Sequence, residues 1–214
     1  MDNFRGAALM VLSMLGFALE DMFIKLLAEA LSVGQILAML GLGGAIVFGG
    51  VVLAQGRRPL SRDMLNLPIA LRGLGEILGT MCFVSAIVLT PISSASAILQ
   101  ATPLVVTLGA ALFLGEAVGW RRWSAIIVGL MGVLLIIRPG MDSFQVLSLL
   151  AVGAVFALAM RDLATRRTPA IFSTMQLSFL GFLVIVPAGL VLMLAQGDGF
   201  VLPRGVEWAY FLGG

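Results

Sequence analysis

Seven long apolar segments, separated by turn residues or charges, run almost end to end through this chain. A bilayer-spanning helix needs about 20 mostly apolar residues at about 1.5 Å each, and most of the segments come close to that length. Hydrophobic residues make up 60% of the 214-residue chain and charged ones 11%, where a soluble domain carries roughly a quarter charged residues. That much apolar surface cannot enter one aqueous core, so the bilayer is its solvent. The expected fold class is an all-α polytopic membrane protein. The spans leave no room for a soluble catalytic domain, and function is to be sought inside the helix bundle.

The patterning predicts helices at residues 4–27, 34–54, 67–89, 93–114, 123–137, 144–160 and 171–195. An eighth apolar segment begins near Glu207. The stretch after Met1-Asp2-Asn3-Phe4-Arg5 is about as long as a full span, too long for a typical signal-peptide core, and reads as a retained first helix. Placing the N-terminus in the cytoplasm puts Arg5, Arg57, Arg58, Arg62, Arg72, Arg121, Arg122, Arg161, Arg166 and Arg167 at or near the cytoplasmic face. Only Lys25, Arg138 and Arg204 then fall at the other face, a positive-inside bias. The expected location is the cell (inner) membrane.

An internal repeat is visible in the spacing. Phe17-Ala18-Leu19 recurs as Phe156-Ala157-Leu158, and the same offset carries Gly34-Gln35 onto Ser173-Thr174 and Pro68 onto Glu207. Each is a helix start or a helix segment. A repeat of five helices is odd-numbered, so the second copy enters the membrane from the opposite side, the inverted design of many secondary transporters. A complete second copy would need more chain than follows residue 140. The expectation is therefore a fragment that stops inside its eighth span.

Residues 85–140 carry a family resemblance. The pieces are a helix break at Thr90-Pro91, a small-residue run at 93–97 and the centre Thr102-Pro103-Leu104. They continue with the Leu114-Gly115-Glu116 end, the re-entry at Trp120 to Trp123 and the closing apolar run from Gly129. In this order they resemble the EamA-type family of the drug/metabolite transporter superfamily. The resemblance covers the first five helices well and the next two weakly. It implies ten helices in two inverted five-helix repeats around a central cavity, with 1–140 as the first repeat and 141–214 as part of the second. Family members move amino acids, nucleotide-like compounds, vitamins and drugs.

Ionisable residues inside spans are costly and default to functional candidates. Glu20 and Asp21 lie in the far half of the first helix. Asp21 has a plain alternative, an i,i+4 pair with Lys25 in which both snorkel outward. Glu20 has no such partner on its helix, and its repeat counterpart is Ala159, so the scaffold does not require it. It is expected to face the cavity and to bind a substrate amine or carry a proton. Arg72 and Glu76 share a face of the third helix at i,i+4, as a structural ion pair or a mobile gate, and Glu76, like Glu20, is a candidate substrate contact or proton carrier. Gln100 is a candidate ligand contact one turn before Pro103. Pro103 breaks the helix and leaves the Leu99 carbonyl without its usual donor. Ser93, Ser96, Ser173 and Gln176 are weaker candidates.

Glycines such as Gly75 and Gly79 fit small-residue helix packing, and Trp120 and Trp123 beside Arg121 and Arg122 fit an interface anchor. The chain holds no histidine and one cysteine, Cys82. An internal disulfide, the usual histidine metal ligand and catalytic histidines drop out, and any proton coupling falls to carboxylates. No cofactor, metal or catalytic residue is expected, and no nucleic-acid partner. The leading reading is a secondary transporter of a small metabolite, an amino acid or a related compound, with proton or ion coupling. A non-transporting membrane scaffold and an intramembrane enzyme are the alternatives. The oligomeric state is left open.

Overall fold

A computed structural model describes residues 2–137 and 146–213 of the chain, and within them all regular structure is helical. The helices are α1 (Asp2–Leu27), α2 (Val33–Ala54), α3 (Leu67–Leu89), α4 (Ile92–Leu99), α5 (Thr102–Phe113), α6 (Trp120–Ile137), α7 (Ser148–Arg166), α8 (Thr174–Gln196) and α9 (Gly205–Gly213). A single 3-10 turn, Arg62–Met64, lies in the α2–α3 connection. Seven stretches are long and apolar enough to cross a membrane, with α4 and α5 together making one of them. The chain is a multi-pass membrane protein.

Local chemistry sets the ends. Asn66 caps α3 by accepting from the Ile69 N–H at 3.0 Å, and Pro68 sits in the first turn, where it loses no hydrogen bond. Thr90 is extended, as the residue before a proline tends to be, and this separates α3 from α4. The fourth expected span is interrupted. It breaks at Gln100-Ala101 and restarts with Thr102-Pro103 in the first turn of α5. The Leu99 carbonyl, deprived of a donor by Pro103, accepts instead from Thr102 Oγ1 at 2.7 Å.

Two expected boundaries need correction. The fifth helix begins at Trp120 rather than residue 123, because Trp120, Arg121 and Arg122 fit the first turn at the interface, with Arg121 stacked over Trp120 at 5.7 Å. The sixth continues to Arg166, past the expected end at 160, so Arg161 and Asp162 lie inside α7. Its expected first residues from Phe144, together with Arg138 and the repeat boundary at residue 140, lie outside the described residues.

Two antiparallel helix pairs organise the bundle. In α2 and α8, Gly34 meets Gly189 and Met193, Gly41 meets Phe182 and Val186, and Gly49 meets Phe179. A Cβ on Gly41 would lie 2.9 Å from the Phe182 carbonyl oxygen, and one on Gly189 would lie 2.7 Å from that of Gly34. In α3 and α7, a Cβ on Gly75 would lie 2.7 Å from the Ala157 carbonyl oxygen, and Gly79 faces Leu158. Backbones this close leave no room for a side chain, which is why glycine stands there. The short α9 lies against α1, with Phe23 and Tyr210 stacked at 5.8 Å.

Two glutamines tie loops to the first pair. Ser32 caps α2 and Ser173 caps α8, each accepting from the N–H of a glutamine three residues on, Gln35 and Gln176. Gln35 is 1% exposed and holds both the N–H and the carbonyl of Val201, in the α8–α9 connection. Gln176 completes a capping box with Ser173 and donates to the Arg58 carbonyl at 2.8 Å, in the segment after α2. Gln176 and Ser173 thus do structural work here. Substituting Gly189 by Val should lower stability by about 1–3 kcal/mol through forced separation of α2 and α8. The same change at Gly132, which has open space around it, should leave the thermal unfolding midpoint in detergent nearly unmoved.

Candidate functional site

The ionisable residues inside the spans collect into two groups, one towards each end of the bundle. The first joins α1 to the end of α3 and the start of α4. Lys25 does not pair with Asp21. Its ammonium donates to the carbonyls of Ile87, Val88 and Thr90 at 2.7, 2.8 and 3.0 Å. These are orphan carbonyls at the C-terminal end of α3, where the helix dipole also favours a cation. The i,i+4 pairing read from sequence gives way because three carbonyls of a neighbouring helix satisfy all three N–H donors of the amine.

Released from Lys25, Asp21 accepts from Ser96 Oγ on α4 at 3.3 Å. Glu20 is half-buried beside it and has no hydrogen-bond or ion-pair partner among the described residues. Ser93 is exposed, and Gln100 is exposed at the α4–α5 break. Nearby, an open groove of about 650 Å³ lies between the α1–α2 and α8–α9 connections, bordered by Glu29, Ser32, Val88, Gln196 and Asp198.

The second group sits where the beginning of α3, the end of α7 and the beginning of α8 meet. Glu76 is about 14 Å along α3 by helical rise. Its carboxylate accepts from Arg161 Nη1 on α7 at 3.0 Å, and its other oxygen lies 3.6 Å from Arg72 Nη2. Arg161 also places Nε and Nη2 each 2.9 Å from Asp162 Oδ1. The side chains of Arg72 and Glu76 are 11% and 12% exposed. The Nε and Nη1 atoms of Arg72 are buried without a hydrogen-bond partner. Gly181 of α8 closes the third side, since a Cβ there would lie 3.1 Å from Glu76 Oε2 and 3.3 Å from Arg72 Nη1.

The expected Arg72–Glu76 pair is thus present but is the looser half of a four-residue cluster. Arg161 and Asp162 were hidden from sequence reasoning because the helix was ended at its first charged residue. The usable signal was an adjacent Arg-Asp pair in an alanine-rich segment, where two neutralising charges can remain inside a span. Arg161 thus holds two carboxylates, Glu76 on α3 and its own neighbour Asp162. Farther along, Arg166 pairs with Glu116 at 2.8 Å, and Arg167 donates to the Phe113 carbonyl at the end of α5.

Loss of Lys25 leaves three carbonyls short of a donor, while loss of the Asp21 charge leaves an acceptor for Ser96. Lys25→Gln should therefore destabilise the protein by about 1–2 kcal/mol. Asp21→Asn should cost less than about 0.5 kcal/mol. Denaturant unfolding in mixed micelles separates this from an Asp21–Lys25 pair, for which the two losses would be similar.

Comparison with known proteins gives consistent matches. The EamA-like transporter family model matches residues 4–138. A riboflavin transporter of Vibrio cholerae is 34% identical over 124 residues, covering 58% of this chain and 41% of that protein. An S-adenosylmethionine uptake transporter of Rickettsia felis is 25% identical over 206 residues, 95% of this chain and 68% of that protein. A pseudopaline exporter of Pseudomonas aeruginosa is 28% identical over 210 residues, 97% of this chain and 72% of that protein. The chain spans less than half the length of the riboflavin transporter that it matches. One solved crystal structure shares the fold at a TM-score of 0.60 and 21% identity, over 94% of this chain and 74% of that one.

Proposed function

The chain belongs to the EamA-like transporter family, and we propose on that footing that the complete protein is a secondary transporter. It moves a small metabolite across the cell (inner) membrane by alternating access. The observation that carries the reading is the family match over α1–α6, joined to relatives named as transporters over nearly the whole chain. Riboflavin, S-adenosylmethionine and amino acids form the first substrate panel. The named relatives include both uptake and export proteins, so both directions are to be assayed.

The proposed architecture is two inverted repeats, 1–140 and 141 onwards, with a cytoplasmic N-terminus. Two reciprocal features support it. Ser32-x-x-Gln35 starts α2 and Ser173-x-x-Gln176 starts α8, and each glutamine holds the segment that follows the other helix. This correspondence sets Ser32, rather than Gly34, opposite Ser173. The antiparallel contact of α3 with α7 has its counterpart in the contact of α9 with α1. With the N-terminus inside, the Arg72–Glu76–Arg161–Asp162 cluster lies towards the cytoplasm, and the Glu20–Asp21–Ser96 group towards the outside.

Within this scheme Glu20 is the coupling carboxylate. It is half-buried at the α1 end of the outer group and no neighbouring donor holds it. Asp21, next to it in the chain, is held by Ser96, and Gln100 is exposed at the helix break, where a ligand can reach it.

Flux into proteoliposomes tests the proposal. The 214-residue chain and a version continued through ten helices are compared on the panel, with and without a proton gradient. The ten-helix form should move at least one compound, and Glu20→Gln should remove the gradient-driven component while leaving the unfolding midpoint in place. Absence of flux for every compound in the ten-helix form removes the transporter reading. Undiminished gradient-driven flux in Glu20→Gln removes that residue from coupling.

A further inference from the structure

We infer that the Arg72–Glu76–Arg161–Asp162 cluster is a gate built to divide, parting α3 from α7 into two charge-neutral halves. One bond in the cluster crosses between the helices, Arg161 Nη1 to Glu76 Oε1 at 3.0 Å. Every other contact stays on one helix. Arg72 and Glu76 are both on α3, one turn apart. Arg161 and Asp162 are neighbours on α7.

Breaking the crossing bond therefore strands no charge in the bilayer, where an unpaired ion is heavily penalised. The state of each arginine agrees. Arg161 already binds Asp162 through Nε and Nη2 and keeps both contacts when α7 moves away. Arg72 lies 3.6 Å from Glu76 with Nε and Nη1 unused and buried. It holds donors in reserve for the carboxylate that Arg161 gives up. A purely structural ion pair has no need of the second arginine, and leaving its donors unsatisfied is costly.

The surrounding interface suits separation. Gly75 and Gly79 give α3 a face without side chains, so on that face the groups that withdraw when the helices part are those of α7, Leu158 from Gly79 and Arg161 from Gly75. Gly181 covers the cluster from α8 with backbone alone. The inference rests on the alternating-access reading for its purpose. Its test reads helix separation without any substrate, so the two fail separately.

The test uses the full chain reconstituted in lipid, with Cys82→Ser and Leu158→Cys, so that one thiol lies in the α3–α7 interface beside Gly79. The rate of labelling by a membrane-impermeant maleimide reports parting of the helices. Arg72→Gln leaves Glu76 without a cation on its own helix, and Asp162→Asn leaves Arg161 without an anion on its own. Each should slow labelling about tenfold, because opening now strands a charge. The double variant Arg72→Gln/Glu76→Gln removes one neutral half entirely and should label at least as fast as the parent. Arg161→Gln/Asp162→Asn does the same from α7, and keeps the comparison available if Arg72→Gln fails to insert. Faster or unchanged labelling in the single variants overturns the inference. So does a double variant that labels as slowly as its single.

Discussion

Helices in a bilayer gain little from burying apolar side chains against one another, because the lipid around them is equally apolar. Association must come from close backbone approach and from polar ties, and every other feature of this bundle depends on that limit. The α2–α8 and α3–α7 pairs meet through glycines whose added Cβ atoms would collide with the opposite backbone. Gln35 and Gln176 then hold the loops at the two ends of the α2–α8 pair. The same economy explains why α4 and α5 can be one span in two pieces. A broken helix is tolerated where a hydroxyl, here that of Thr102, takes the orphaned carbonyl.

Charge placement follows from the same solvent. Asp21, Lys25, Arg72, Glu76, Arg161 and Asp162 have each found an opposite charge, a hydroxyl or a set of carbonyls. Lys25 is satisfied by the end of α3 rather than by Asp21, which exchanges a short-range ion pair for three hydrogen bonds and a favourable dipole. That exchange leaves Asp21 to Ser96 and Glu20 without a partner among the described residues. Cation and carboxylate on one helix are thus separated by tertiary contact.

The Arg72–Glu76–Arg161–Asp162 cluster applies the rule differently. Its two arginines and two carboxylates are neutral as a set and neutral again when divided by helix. A moving membrane protein must keep its buried charges compensated in each state it visits, and a cluster with one crossing bond meets that need. The α2–α8 contact beside it is fastened at both ends by Gln35 and Gln176.

Much of this was legible in the chain alone. Span number, the start of α3 at Leu67-Pro68, the Thr90-Pro91 break, the freed Leu99 carbonyl and the Arg72–Glu76 pair all follow from local rules: hydropathy over a helix length, proline sterics and i,i+4 spacing. The family was legible in residues 85–140 for the same reason, as an ordered set of local motifs. What only tertiary structure decided was the choice of partner. Lys25 had Asp21 within reach on its own helix and took the carbonyls of α3. Glu76 had Arg72 and took Arg161. Arg161 itself was read as an interface charge, because a lone sequence cannot show that a helix continues past its first charge when a carboxylate on another helix is waiting there. Contacts within a turn are written in spacing, whereas contacts between helices depend on which faces the packing brings together.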